Sequence, residues 1–200
     1  MAKAEWVKVT PQQGSGNATV NVSSNGEHSG RVARTTILTW KAANVSNIER
    51  TVSQAGKPEY VDIDDAASAD KSGKVVTISG VSNSKKLTFS LGTGDLAISL
   101  PSTYTANSVS TTNGSNISGD PGAISEYNFS IAITVPANNS TTAKTRQIIV
   151  TDEGGHQDVC LLTSAAGDAY ITITEGNIEL DYKGTAVTVE VKSNTTWTIE

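Results

Sequence analysis

Apolar and polar residues alternate along many short stretches of the chain. The clearest alternation covers 18–22, 76–78, 87–89, 128–135 and 186–191. A period of two puts successive side chains on opposite faces of a strand, so these stretches predict half-buried β-strands. Clusters of Gly, Asn and Ser separate them, and no stretch carries a long apolar stripe at helical spacing. The pattern predicts an all-β protein with essentially no helix.

The chain also repeats itself. The tetrapeptide Tyr-Val-Asp-Ile at 60–63 recurs as Tyr-Ile-Thr-Ile at 170–173, which is 170 minus 60, or 110 positions later. The dipeptide Ser-Asn at 82–83 recurs at 193–194, and the Arg-led strand at 34–39 matches 146–151. Such self-similarity is typical of tandem structural units.

The repeat predicts three parts. Residues 1–58 are the back half of a β-sandwich unit or a first small domain, and residues 59–168 are a complete unit with a long loop insertion at 102–126. Residues 169–200 are the front half of a further unit. A half sandwich has an open sheet edge and one uncovered apolar face, so it needs a partner. The two halves are expected to complete each other within a folded-back chain or between copies, or to be completed by further sequence.

Composition narrows the classes of function. The net charge is -5, the pI is about 5.1 and like charges do not cluster, which argues against nucleic acid as a partner. No stretch reaches the roughly 20 apolar residues of a membrane span, and residues 1–6 lack the apolar core of a signal peptide. Synthesis in a bacterial cytoplasm without export is therefore expected. The single Cys160 excludes an internal disulfide and is predicted to be buried.

No set of residues in the sequence predicts catalysis. His28 and His156 lie in Gly-rich turns, are expected to be solvated, and have no Ser or Cys nucleophile motif beside them. The acidic residues within 62–70 lack the spacing of a calcium loop, so they predict a solvated surface. We therefore expect no enzyme activity, no metal and no cofactor.

Trp40 is the candidate contact residue among the three tryptophans. An indole ring offers an apolar face on which a sugar ring or a protein surface can stack. Trp40 stands at a predicted strand end before polar residues, so Trp40, Lys41 and Asn44 form the candidate contact site for a glycan or a protein. Trp6 and Trp197 are expected to pack against a sheet or in a core.

Several short motifs, taken in order, resemble the BACON domain, an immunoglobulin-like β-sandwich of Bacteroidetes that is associated with carbohydrate binding. They are Leu-Asp-Tyr-Lys-Gly at 180–184, Ser-Asn-Thr-Thr-Trp at 193–197, Trp-Val-Lys-Val-Thr-Pro at 6–11, Gly-Ser-Gly-Asn at 14–17, Arg-Thr-Thr-Ile at 34–37, and Val-Ser-Gln-Ala-Gly at 52–56. The middle unit departs from the pattern, because Lys85, Lys86 and Leu87 replace the tryptophan segment and Ser164 replaces the glutamine of the last strand.

The resemblance implies tandem antiparallel immunoglobulin-like sandwiches and two alternative functions. BACON-like domains occur in virion proteins of crAss-like phages and in secreted glycan-handling proteins. The first setting implies an auxiliary capsid or head-fibre component of a tailed phage of Bacteroidetes, located in the virion. Its partners would be other virion proteins and copies of itself, with surface glycans as further contacts. The second setting implies a carbohydrate-binding accessory module of a bacterial glycan-utilisation protein.

Overall fold

The computed structural model describes residues 3–200, and it is all-β as predicted. The one helical element in this range is a short 3-10 turn at Pro121–Ala123. The strands are β1 (Val7–Thr10), β2 (Asn21–Ser24), β3 (Arg34–Ala42), β4 (Val45–Gln54), β5 (Val61–Ile63), β6 (Ala66–Ala69), β7 (Lys74–Ser82), β8 (Leu87–Gly94), β9 (Thr103–Ala106), β10 (Val109–Thr112), β11 (Tyr127–Val135), β12 (Lys144–Asp152), β13 (Gln157–Ser164), β14 (Ile171–Ile173) and β15 (Val191–Ser193).

Two sheets packed on a common core form the middle unit, residues 59–168. One sheet has the strand order β10-β9-β11-β7-β5, and the other has the order β6-β13-β12-β8. All pairs are antiparallel except β6 with β13, which run parallel. The coarse prediction of antiparallel sheets is therefore confirmed.

Alternation along the strands builds this core. On β11, Phe129, Ile131 and Ile133 point inward and are at most 2% exposed, while the residues between them face outward. The opposite sheet contributes Ile148 and Leu162, both fully buried. The aromatic ring of Phe89 packs against two others. Its centroid lies 5.0 Å from that of Tyr104 and 5.9 Å from that of Phe129.

The segment 102–126 differs from the predicted surface loop. It folds as the hairpin β9–β10, and β9 pairs with β11 at the sheet edge. Tyr104, Ala106 and Ile117 are at most 3% exposed and belong to the core. The many Ser, Thr and Asn residues of the segment masked a short alternation in which only every second side chain is apolar.

The N-terminal segment (residues 3–56) and the C-terminal segment (residues 168–200) contain only two-stranded sheets, β1–β2, β3–β4 and β14–β15. Within residues 3–200, no strand of one segment pairs with a strand of the other. Most side chains of the C-terminal segment are exposed. The C-terminal segment therefore leaves a sheet face uncovered, whereas the N-terminal segment covers its face in part, with Val7 fully buried and Leu38 6% exposed.

The β3–β4 hairpin has the same register as β12–β13. In β3–β4, Arg34 faces Gln54 and Thr39 faces Glu49. In β12–β13, Lys144 faces Ser164 and Ile149 faces Val159. Each residue of the second hairpin therefore lies 110 positions after its counterpart in the first. The sequence match of Arg34 to Arg146 was therefore wrong by two positions, because Lys144 holds the place of Arg34. A shift of two keeps every side chain on the same sheet face, which is why alternation alone did not reveal the error.

The β14–β15 pair repeats β5–β7 in the same way. Val61 faces Ser82, and Ile171 faces Ser193. The preceding turns also agree, since the Asp70 carboxylate accepts the Ser72 backbone N–H at 3.0 Å and the Asp181 carboxylate accepts the Lys183 N–H at 3.0 Å. The C-terminal segment therefore copies residues 60–84 with an offset of 110 to 111.

Asn83 joins the N-terminal segment to the middle unit. Its buried side chain accepts a hydrogen bond from the Tyr60 backbone N–H at 3.0 Å. Its amide nitrogen donates to the carbonyls of Pro58 at 3.1 Å, and of Lys57 and Ser29 at 3.3 Å. One side chain thus connects the first strand of the unit with the chain that precedes it.

Asn194 makes the corresponding junction at the other side of the middle unit. It accepts from the Tyr170 N–H at 3.0 Å and donates to the carbonyls of Asp168 at 2.9 Å and Asn139 at 2.8 Å. Each of these partners lies 110 positions after its counterpart at Asn83. Successive parts of the chain are therefore joined by the same contacts.

An ion pair strengthens the first junction. The Arg31 guanidinium donates to both carboxylate oxygens of Asp120, at 2.6 and 2.5 Å, and to the Asn83 carbonyl at 3.2 Å. The hydrogen bonds from Arg31 lower the pKa of Asp120 below its ordinary value. The segment 102–126 therefore supplies part of the contact between units.

We expect Asn83→Ala to destabilise the middle unit by about 2–4 kcal/mol, because it leaves a buried N–H and several carbonyls without partners. Cys160 is fully buried and reports opening of this unit. Pulsed thiol labelling of Cys160 along a urea gradient measures the change. Asn194→Ala, at the more exposed junction, serves as the matched control and is expected to leave the midpoint unchanged. Equal midpoints for wild type and Asn83→Ala would contradict the assigned role.

We expect the stabilisation from Arg31 and Asp120 to disappear in acid. Because the folded pKa of Asp120 is lowered, the contribution is complete above the unfolded value of about 3.9 and is lost as the pH falls through the folded pKa. Asp120→Asn is therefore expected to lower the midpoint of urea unfolding at pH 7. Circular dichroism measures the unfolding. The difference from wild type should shrink as the pH falls below the unfolded value and vanish once the pH is below the folded pKa of Asp120. A difference that stays constant over this range would show that the charge of Asp120 contributes nothing.

Candidate functional site

The N-terminal segment carries an open groove of about 660 Å³ between the β1–β2 sheet and β3. Apolar side chains of Val9, Val20, Leu38 and Trp40 line it. Polar lining comes from Lys3, Gln12, Gln13 and Lys41. The groove thus combines an apolar surface with hydrogen-bonding groups, which suits either a sugar ring or a packed polypeptide.

The structure brings two of the three predicted contact residues together. Trp40 is 40% exposed and lines the groove beside Lys41. Asn44 lies in the tight turn between β3 and β4, with a positive φ of 61°, and is not among the lining residues. Asn tolerates this left-handed backbone better than most residues, which accounts for its presence in the turn.

Trp40 holds a position that is core in the middle unit. The shared hairpin register places Val150 at the position of Trp40, and Val150 is fully buried. Leu38 likewise corresponds to the buried Ile148. Leu38, on the same face of β3, is only 6% exposed beside the β1–β2 sheet. The exposure of Trp40 therefore results from incomplete cover, since in the middle unit a second sheet lies over this position.

The C-terminal segment exposes a matching apolar face. Five of its large apolar side chains hold the positions of residues that pack in or against the core of the middle unit. The matches are Ile171 with Val61, Ile173 with Ile63, Ile178 with Ala67, Leu180 with Ala69, and Val187 with Val76. Side chains of this size gain about 1.5–3 kcal/mol each when fully buried. Their exposure of 49–62% marks the face as a contact surface.

The histidines differ from each other. His156 is exposed in its turn as predicted, and its Nδ1 lies 2.8 Å from the buried Asp152 carboxylate. The prediction for His28 was wrong, because His28 is 9% exposed and its Nε2 lies 2.7 Å from the Val32 carbonyl. The chain folds back over four residues, from His28 to Val32, and covers the ring. Asn138 makes the equivalent contact in the middle unit, where its side chain donates to the Thr142 carbonyl.

Cys160 is buried on β13 as predicted. Desolvation by burial raises its pKa to about 11, so the thiol stays protonated at neutral pH. A protonated, inaccessible thiol is a poor nucleophile. Cys160 therefore serves packing.

The acidic residues at 62–70 belong to turns and strand contacts. The Asp64 carboxylate accepts the Ser79 backbone N–H at 2.8 Å, and Asp70 caps its own turn. Asp62, Asp64 and Asp65 surround a shallow hollow beside β7. No group of three or more potential ligand residues arranged for a metal ion occurs within residues 3–200.

The other two tryptophans behave differently from each other. Trp6 is partly buried, and the Arg34 guanidinium lies 4.7 Å from its ring centroid, as expected for an aromatic packed on a sheet. Trp197 was expected to pack in a core or against a sheet but is 46% exposed. Residues 195–200 have no opposing sheet within the described chain, so the ring has no core to enter.

Neither models of protein families nor curated protein sequences match this chain. No helix within residues 3–200 is long and apolar enough to cross a membrane.

Proposed function

We propose that this chain is a non-enzymatic structural protein that assembles through its β-sandwich surfaces. The observation that carries the proposal is the position of its exposed apolar side chains. Those of the C-terminal segment and Trp40 of the N-terminal segment occupy places that are core in the middle unit. Surfaces of this kind bind polypeptide, because another sheet satisfies both the apolar face and the open strand edge.

The proposed setting is the virion of a tailed phage that infects Bacteroidetes, where the chain acts as an auxiliary capsid or head-fibre component. The BACON resemblance and the tandem arrangement of immunoglobulin-like units support this setting. Capsid surfaces display many copies of such modules, and multiple copies make weak contacts effective. Other virion proteins are the expected partners, with neither nucleic acid nor membrane involved.

An antibody raised against the purified chain tests the setting. We expect it to label intact particles purified by density gradient from a lysate of the culture that carries the gene. Immunogold electron microscopy gives the readout, and particles of an unrelated phage are the control. Labelling of the surface of intact bacteria, with unlabelled particles, would reject the virion setting.

The groove at Trp40 supports a second candidate, a carbohydrate-binding accessory module. An indole ring beside Lys41 in a groove of about 660 Å³ offers a stacking face and a hydrogen-bond donor for a glycan. This candidate uses the groove as an open site, whereas assembly covers it. The two candidates therefore predict opposite accessibility of Trp40 in the working protein.

A glycan array separates the candidates. If assembly is the function, the wild-type chain is expected to show no binding that depends on Trp40. Trp40→Ala is the test variant, and Trp6→Phe is the matched control because Trp6 packs under Arg34. Binding to a defined glycan that Trp40→Ala abolishes and Trp6→Phe preserves would replace assembly by carbohydrate binding.

A further inference from the structure

The N-terminal and C-terminal segments lie at opposite ends of the middle unit. The N-terminal segment is held at the Ser82 end of β7, through Asn83. The C-terminal segment is held near the Lys74 end, where Lys71 forms an ion pair with Asp168 and Asn194 donates to Asn139. Strand β7 has nine residues, which separates its ends by about 26 Å. The segments of one chain are thus held apart.

The middle unit shows how a front half and a back half fit together. Two strand pairs join its front part, β5 to β8, to its back part, β11 to β13. They are the antiparallel β7–β11 pair and the parallel β6–β13 pair. The C-terminal segment copies the β5–β7 portion of the front part, and β3–β4 copies β12–β13. The two segments are therefore complementary parts of one sandwich.

We propose that residues 170–200 of one copy complete the N-terminal segment of a second copy, head to tail, in the register of the middle unit. This inference rests on the proposed assembly function and identifies its partner as the chain itself. Transferring the β6–β13 register places Ile178 beside Val52, Glu179 beside Ser53 and Leu180 beside Gln54. The apolar residues then face inward, and Ser53 and Glu179 face outward.

Charge supports a second copy as the occupant. Residues 3–56 carry six basic and three acidic residues, a net charge of +3, whereas residues 168–200 carry two basic and six acidic residues, a net charge of -4. Opposite charges steer the two surfaces together, and like segments repel each other. Head-to-tail contact is thereby favoured over pairing of two identical segments.

One position makes the charge match specific. Arg50 holds the position of Cys160, and Glu175 holds the position of Asp64. Asp64 accepts the Ser79 backbone N–H, as Glu175 accepts that of Glu190. The carbonyl of the next residue, Asp65, accepts the backbone N–H of Leu161, the neighbour of Cys160, at 2.9 Å. In the composite sandwich, Arg50 of one copy therefore lies beside Glu175 of the next. An arginine on the inner face of a sheet needs such an acidic partner.

The contact is heterologous, since each copy uses two different surfaces. Heterologous contacts generate either closed rings or open chains of subunits. Each subunit then adds one complete middle unit and one composite unit. The result is a continuous row of sandwiches joined by the contacts seen at Asn83 and Asn194.

Cysteine cross-linking tests the register. Two neighbouring parallel strands bring paired Cα atoms to a separation that a disulfide can span. We expect a mixture of Ser53→Cys and Glu179→Cys chains to form covalent heterodimers on mild oxidation, read by non-reducing electrophoresis. A chain with both substitutions is expected to form a ladder of multimers. Wild type controls for the buried Cys160.

Glu49→Cys mixed with Glu179→Cys is the matched control. Glu49 lies on the same strand and the same face as Ser53, four residues away, so about 13 Å separates it from the expected partner. No cross-link is expected there. Equal cross-linking of both pairs would refute the register, and a monomeric internal cross-link in the double variant would refute exchange between copies.

An apolar-face substitution gives an independent readout. Ile173→Asp is expected to reduce the oligomer population in native mass spectrometry at least tenfold. Thr172→Asp, on the opposite face of the same strand, should leave it unchanged, because Asp62 holds that position in the middle unit. A wild-type chain that is monomeric at every concentration would overturn the inference. Oligomers in which Ser53→Cys and Glu179→Cys do not cross-link would also overturn the inference. That outcome would leave the assembly proposal standing.

Discussion

The structure depends on the covering of one apolar sheet face by another. Strand alternation collects apolar side chains on a single face of each sheet, and that face is stable only when a second sheet excludes water from it. In the middle unit, β11 and β7 pair over nine residues, and the opposite sheet closes over Phe129, Ile131 and Ile133. The same alternation in the terminal segments produces faces that are covered only in part within the described chain.

The junction asparagines convert a series of sandwiches into a directed array. A carboxamide both donates and accepts, so one side chain connects the first strand of a unit with the turn before it. Because Asn83 and Asn194 repeat the same set of partners, each unit takes the same orientation relative to the one before it. This constraint places the N-terminal and C-terminal segments at opposite ends of the middle unit.

The sequence allowed the all-β class and the repeat to be predicted, because a period of two is a local signal. It did not allow the role of 102–126 to be predicted, since Tyr104 and Ala106 are separated and flanked by threonines. The buried His28 and the pair of Arg31 with Asp120 also escaped prediction. Both depend on contacts that the fold makes between distant residues, and the pair spans 89 positions.

The exposure of Trp40 was predicted, and its cause was not. Exposure beside a strand end is compatible with a ligand platform and also with a core position that lacks its cover. Only the register of β3–β4 against β12–β13 separates these interpretations, because it places Trp40 where Val150 is buried. Structural equivalence within one chain therefore supplies a comparison that the residue type alone cannot provide.

Side-chain volume is consistent with the composite sandwich. Trp40, Ile178 and Leu180 are larger than Val150, Ala67 and Ala69, whose positions they hold. The apolar side chains that lead into and form β2 are small, namely Ala18, Val20 and Val22. Cores tolerate such redistribution when the total volume is conserved. In the proposed composite sandwich, the large side chains of one sheet would thus fill the space that the small side chains of the facing segment leave.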